Sequence, residues 1–188
     1  MLRYVWDPFV RLFHWSLVAA FAVAFYTHAS IWDRLLHVEA GYVAGGLILG
    51  RVAYGLLADG YASFKTFPFS PVRATRYLFS LLRGTARHYI GHNPVGAIAI
   101  YAMLTVGVLV VGSGCVVYNE GWGWVDGDLA ESMHHYLTWG WLLIVFVHVS
   151  GVIIESVIHR DNLIWAMITG CKRVCKVEQK PKSKSYTL

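Results

Sequence analysis

The run His134-His135-Tyr136-Leu137-Thr138-Trp139-Gly140-Trp141-Leu142-Leu143-Ile144-Val145-Phe146-Val147-His148 decides the fold. It places an imidazole at each end of an otherwise apolar segment. An ionisable ring at membrane depth is costly and marks a functional position. On an α-helix the separation of His134 from His148 is a rise of ~21 Å and a return to within ~40° of the same face. One helix therefore holds a ring near each side of a bilayer, both turned into a bundle. His135 lies ~140° around the helix from His148, so His134 alone shares its face.

Working outward, the whole chain has the composition this segment implies. Of 188 residues, 56% are hydrophobic, 15% aromatic and only 14% charged, whereas a soluble domain carries about a quarter charged residues. The apolar residues are concentrated in Val10–Tyr26, Gly41–Ala58, Val95–Tyr118 and Tyr136–Ile154. Each run is roughly 17–24 residues, long enough to cross a hydrocarbon core of ~30 Å. The expected fold is all-α: an integral membrane bundle of four transmembrane helices over about 9–28, 38–58, 94–118 and 133–159, in one domain spanning 1–175. The first segment is longer than a signal-peptide core and no small-x-small cleavage site precedes His28, so a retained helix is expected.

Charge sets the orientation. Lys65, Arg73, Arg76, Arg83 and Arg87 lie in the central connection, six more Lys and Arg follow Gly170, and Arg3 and Arg11 lie at the start. The other two connections carry Arg34 alone. The positive-inside rule then places both termini and the central loop in the cytoplasm of a bacterial cell, the chain being multi-pass in its inner membrane. After Pro71, Val72, Tyr77, Leu78, Leu81 and Leu82 alternate with Arg73, Arg76 and Arg83 at helical period. This predicts an amphipathic interfacial helix on the inner leaflet, stopped at Gly84. The basic, lysine-rich tail 176–188 is expected to be flexible.

The outer connection 119–131 holds Glu120, Asp126, Asp128 and Glu131 with Trp122 and Trp124, and no Lys or Arg. It reads either as a solvated loop with interfacial tryptophans or as a docking face for a basic partner. The formal net charge of +5 is concentrated on the cytoplasmic side, so the partners expected are the lipid bilayer and redox proteins, with no nucleic acid. Cys115, Cys171 and Cys175 form no C-x-x-C-H motif, which leaves covalent haem attachment unsupported. The membrane histidines lack thiol or carboxylate neighbours at zinc-ligand spacing.

With this topology the histidines sort by depth. His14, near the start of the first helix, and His148 lie toward the cytoplasmic side. His37 and His134 lie toward the outer side. Each pair draws on two different helices, as bis-histidine haem ligation requires. The reading assigns His14 and His148 to an inner haem iron and His37 and His134 to an outer one. His28, at the end of the first helix, competes weakly for the outer layer. His88, His92 and His159 fall in the basic layer and read as surface or headgroup contacts.

Arg51, near the inner end of the second helix, either meets a haem propionate or snorkels to lipid phosphate. Gly41, Gly45, Gly46 and Gly50 have the small-x-x-x-small spacing of close helix packing, and the same gap admits a flat macrocycle. A quinone site near the inner haem would draw on Arg51, Glu155, His159 or Arg160. Glu155 either exchanges protons there or makes a polar contact at the membrane surface.

Longer motifs carry a resemblance. Trp6-Asp7-Pro8-Phe9-Val10-Arg11-Leu12-Phe13-His14-Trp15 resembles the opening motif of the bacterial cytochrome b561 and nickel-iron hydrogenase b-type cytochrome family. His37-Val38-Glu39-Ala40-Gly41-Tyr42, Gly91-His92-Asn93-Pro94, the stretch from His134 through Arg160-Asp161-Asn162-Leu163, and Ala166-Met167-Ile168-Thr169-Gly170 resemble its later motifs, covering nearly the whole chain. The resemblance implies two haem b groups on His14, His37, His134 and His148. It implies a cytochrome moving electrons between a periplasmic c-type cytochrome or oxidoreductase subunit and the quinone pool. An electron-transfer subunit is thus expected ahead of a stand-alone oxidoreductase. The competing expectation is a superoxide:quinone oxidoreductase, disfavoured by an acidic outer surface that would repel an anion.

Overall fold

A computed structural model describes residues 2–123 and 125–173. Trp124, Cys175 and the basic segment 176–188 fall outside the described residues. Strand β1 (Leu2–Tyr4) leads into α1 (Pro8–Thr27), and α2 (Arg34–Leu57) returns. Two short 3₁₀ turns (Gly60–Ala62 and Phe64–Thr66) precede α3 (Pro71–Leu82). Then come α4 (Pro94–Tyr118), a small hairpin of β2 (Gly121–Trp122) and β3 (Val125–Asp126), α5 (Gly127–His159), α6 (Leu163–Thr169) and β4 (Cys171–Arg173). Four helices, α1, α2, α4 and α5, are long and apolar enough to cross a membrane.

Local chemistry sets the helix starts. Asp7, Asn93 and Asp126 each accept a bond from a backbone N–H of the first turn, and Pro8 and Pro94 occupy first helical positions, where a missing N–H costs nothing. The Asp126 cap explains why α5 begins at Gly127, six residues before the expected start at 133. The first turns are polar, and the cap rather than hydropathy fixes the start. Similarly α2 starts at Arg34 instead of 38, because His37 N–H already bonds Asp33 O at 2.9 Å. The helix expected after Pro71 is present, and Gly84 past its end has φ +68°, a left-handed conformation that suits glycine.

Packing follows sequence neighbours: α1 on α2, α4 on α5, with α2 against α4 joining the pairs. Ile48, Leu104, Val110 and Trp141 form the central core, flanked by Phe13, Leu17 and Phe21. Leu12, Leu49, Leu143, Phe146 and Val157 point outward on the long helices. An apolar exterior around a small-residue and aromatic interior is what lipid, rather than water, solvates. At the end bearing the termini, β1 pairs antiparallel with β4, and the Val5 and Trp6 N–H groups donate to Gly170 O at 2.8 and 3.1 Å. Residues 2–6 and 170–173 are thereby clamped together.

Candidate functional site

Two histidines expected at one depth do meet. The ring centroids of His37 on α2 and His134 on α5 are 6.2 Å apart, with planes at 89°. His37 Nδ1–H donates to Ala24 O at 2.8 Å, and His134 Nδ1–H donates to Val110 O at 3.0 Å. A carbonyl only accepts, so both rings carry their proton on Nδ1 and leave Nε2 as the free lone pair. Backbone carbonyls thus orient both rings in the manner of second-layer partners in metal sites. Ser113 Oγ lies 3.1 Å from the same His134 nitrogen.

The spacing can be compared with a metal between the rings. Two metal–imidazole bonds of roughly 2 Å in line, plus roughly an ångström from each nitrogen to its ring centre, total roughly 6 Å. The surroundings agree. A cavity of ≈ 650 Å³ is lined by Phe21, Phe25, Gly41, Gly114 and both histidines, a size typical of cofactor sites. A Cβ on Gly114 would come within 3.1 Å of the His134 ring, so this glycine clears the ring's position. The glycines of α2 divide: a Cβ on Gly45 would strike Val111 at 2.8 Å, marking close packing on α4, whereas Gly41 is open to the cavity.

The second expected pair, His14 on α1 and His148 on α5, is half-buried. His14 Nδ1 is buried without a hydrogen-bond partner. An orphaned imidazole nitrogen inside a bundle calls for a ligand or water. His28 sits exposed at the cavity rim with its Nδ1 on Phe25 O of its own turn, opposite no second histidine. His135 is also exposed, against Tyr136 and Trp139.

Between the two layers stands Trp141, seven residues from each α5 histidine. Its indole N–H donates to Met103 O at 3.0 Å, and Phe21 meets it edge-on at 5.1 Å. A Cβ on Gly107 would fall 3.0 Å from Trp141 and 2.7 Å from Ile48, so α4 needs glycine there to admit the indole. Glu155 continues the same stripe one further heptad on.

Several sequence expectations need correction. Arg51 does not snorkel. It is 3% exposed, donates from Nη2 to Ala62 O at 3.0 Å and lies 5.0 Å over the Phe64 ring. The loop after α2 folds back over it, which hydropathy of the helix alone does not reveal. Its Nη1 is buried without a partner. Glu155 is buried too, accepting from Asn93 Nδ2, and so makes no contact at the membrane surface. His92 is wedged between Trp6 and Phe67, with centroids at 4.7 and 4.2 Å. His88 packs on His159 at 5.0 Å and faces buried Asp161 at 3.7 Å. These three histidines pack against aromatic and ionisable neighbours, with His88 keeping 18% of its side chain exposed.

Burial, and next the positive charge of Arg51, push His92 down to about 3. Its ring is therefore neutral at pH 7 in the folded chain, while in the unfolded chain it titrates at about 6.5. Below that value only the unfolded state gains the proton, so stability is lost as pH falls from 6.5 toward 3. Thermal unfolding of wild type should show a steeper fall over this window than His92→Gln, and equal slopes would remove His92 as a cause.

An apolar four-span bundle with facing histidines on different helices belongs to the class of helical membrane cytochromes. The comparison is specific: the chain belongs to the prokaryotic cytochrome b561 family, whose family model matches residues 5–170. It is similar to the probable Ni/Fe-hydrogenase B-type cytochrome subunit of Azotobacter vinelandii, at 27% identity over 89% of this chain and 87% of that protein. It is also similar to that of Cupriavidus necator (27%, 89% and 85%). The probable Ni/Fe-hydrogenase 1 B-type cytochrome subunit of Escherichia coli K12 is 23% identical over 96% of each chain. No solved structure matches the chain. Membership of this family implies haem b as the cofactor class.

Proposed function

We propose that this chain is a dihaem b-type cytochrome, with one haem held by His37 and His134 and the other by His14 and His148. It carries electrons across the bacterial inner membrane between a periplasmic redox partner and quinone. The observation that supports this most strongly is the His37–His134 pair, whose facing rings, carbonyl-fixed tautomers and adjoining cavity suit a flat macrocycle. The orphaned Nδ1 of His14 supports the inner site. Haem with two imidazole ligands is coordinatively closed and supplies one-electron transfer rather than oxygen binding. The protein's part is to orient the imidazoles, exclude water and set the field around each site.

Termini and central loop face the cytoplasm by the charge rule, with the apolar side of α3 (Val72, Phe79 and Leu82 exposed) on the inner leaflet. The outer partner is a c-type cytochrome or an oxidoreductase subunit, such as the hydrogenase named for the relatives. Glu120, Asp126, Asp128 and Glu131 give it an acidic landing face against the single Arg34. The Nη1 of Arg51 remains available to a propionate of the inner haem.

The purified chain should carry two b haems by pyridine haemochrome, and zero or one would overturn the dihaem assignment. Stopped-flow mixing then tests the partner. A reduced, basic c-type cytochrome should exchange electrons rapidly at low salt and more slowly at high salt. Faster reduction by superoxide than by any such protein would favour the superoxide:quinone oxidoreductase instead.

A further inference from the structure

Below the inner histidine pair, the fold buries a set of charged groups that electron transfer does not require. Glu155, Asp161 and Lys172 are 8%, 5% and 2% exposed. They come from α5, the turn after it and β4. Lys172 Nζ donates to Tyr89 O at 2.8 Å, and Asp161 Oδ1 accepts from Arg173 N–H at 3.3 Å. Facing Glu155 are Tyr77 from α3, Asn93 from the start of α4, His159 from its own helix, and Lys172 and Asp161. Facing Asp161 are His88 from the central loop and Lys172.

The charges do not balance. Two carboxylates stand against one ammonium, and an uncompensated buried charge is strongly disfavoured. One further proton held within the cluster restores neutrality. Its place is left open: Tyr77 OH, His88 Nε2, His159 Nε2 and Asp161 Oδ2 are all buried without a hydrogen-bond partner. Four orphans in one cluster describe a site for a mobile proton and bridging water.

The cluster has an entrance and a target. His88 keeps 18% of its side chain exposed against 6% for Asp161, so His88 is the contact with water. At the other end Glu155 lies on the α5 stripe about 10 Å below His148, close enough for charge to be felt through protein. Burial and then the charge of Lys172 hold His88 below its ordinary value, opposed by Asp161. Burial likewise lowers Lys172, opposed by Glu155 and then Asp161.

We propose that Glu155, Asp161, Lys172, His88 and His159 form a proton-exchange site that takes up one proton from the cytoplasmic water when an electron reaches the inner haem site, and releases it when the electron leaves. The electron comes from the redox partner and the proton enters through His88, so charge near His148 is offset within the protein. This rests on the dihaem reading.

The test is a spectroelectrochemical titration of the purified holoprotein between about pH 5 and 8. The haem that survives His134→Ala is taken as the inner one. Its potential should fall as pH rises, with a slope approaching one proton per electron, while the other haem stays nearly flat. Glu155→Gln should lower that slope about twofold or more with both haems retained. His88→Gln, at the partly exposed entrance, should weaken it too and serves if Glu155→Gln does not fold. A pH-independent inner potential in wild type, or wild-type slopes in the folded variants, would overturn the proton site alone. One haem per chain would instead overturn the dihaem reading and this inference with it.

Discussion

His134→Ala should leave one b haem per chain where two are proposed, and His135→Ala should leave both. The two residues are adjacent and chemically identical, so the contrast isolates geometry. His134 meets His37 with ring centroids 6.2 Å apart and its tautomer set by Val110 O, whereas His135 is exposed at the cavity's edge against Tyr136 and Trp139. Alanine at 134 would leave His37 as the single imidazole to hold a haem in that layer. Loss of even a ligand's supporting partner typically costs 10–100-fold in metal affinity, and loss of the ligand itself exceeds that. His135 cannot substitute, because a neighbouring residue is turned ~100° around the helix. The measurement is haem per chain by pyridine haemochrome after purification in one detergent. Equal loss from the two variants, or full retention in both, would defeat the pairing.

The spans were legible in sequence because lipid imposes a simple rule: long apolar runs, charges at their ends. The meeting of His37 with His134 was legible for the same reason, since depth follows topology and face follows helix phase. Helix starts were less so. Asp126 moved the start of α5 outward by a single capping bond that hydropathy does not register. What sequence concealed is the layer built by distant contacts. Arg51 is buried because the chain returns to place Ala62 O over it, and Lys172 because Tyr89 O meets it from the central loop. No local pattern distinguishes such a cation from a snorkelling one. The same holds for His88, His92 and His159, whose neighbours Asp161, Trp6 and His88 come from distant parts of the chain. Trp141 went unmarked for the opposite reason: among apolar neighbours, an indole carries no signal of its own.

Trp141→Ala should be the most damaging single change to the bundle outside the histidines. The indole is 5% exposed and lies halfway between the two histidine layers, against Phe21 and over Gly107. Truncating a buried tryptophan costs about 3–5 kcal/mol in proteins that can relax only partly. In lipid the loss is chiefly of packing, because acyl chains are as apolar as the side chains they would replace. Relaxation is limited here, since α2 and α4 are already close-packed beside the indole, where a Cβ on Gly45 would strike Val111 and one on Gly107 would strike Ile48. Trp141→Phe keeps an aromatic wall and gives up one hydrogen bond to Met103 O, about 1 kcal/mol. The expected order of thermal stability in detergent is therefore wild type, then Trp141→Phe close behind, then Trp141→Ala far below. Haem content should follow the same order, because both sites share this wall. If Trp141→Ala keeps full haem content and unfolds with the wild type, the indole is not the partition between two layers. The heptad stripe from His134 to Glu155 would then be a coincidence of spacing.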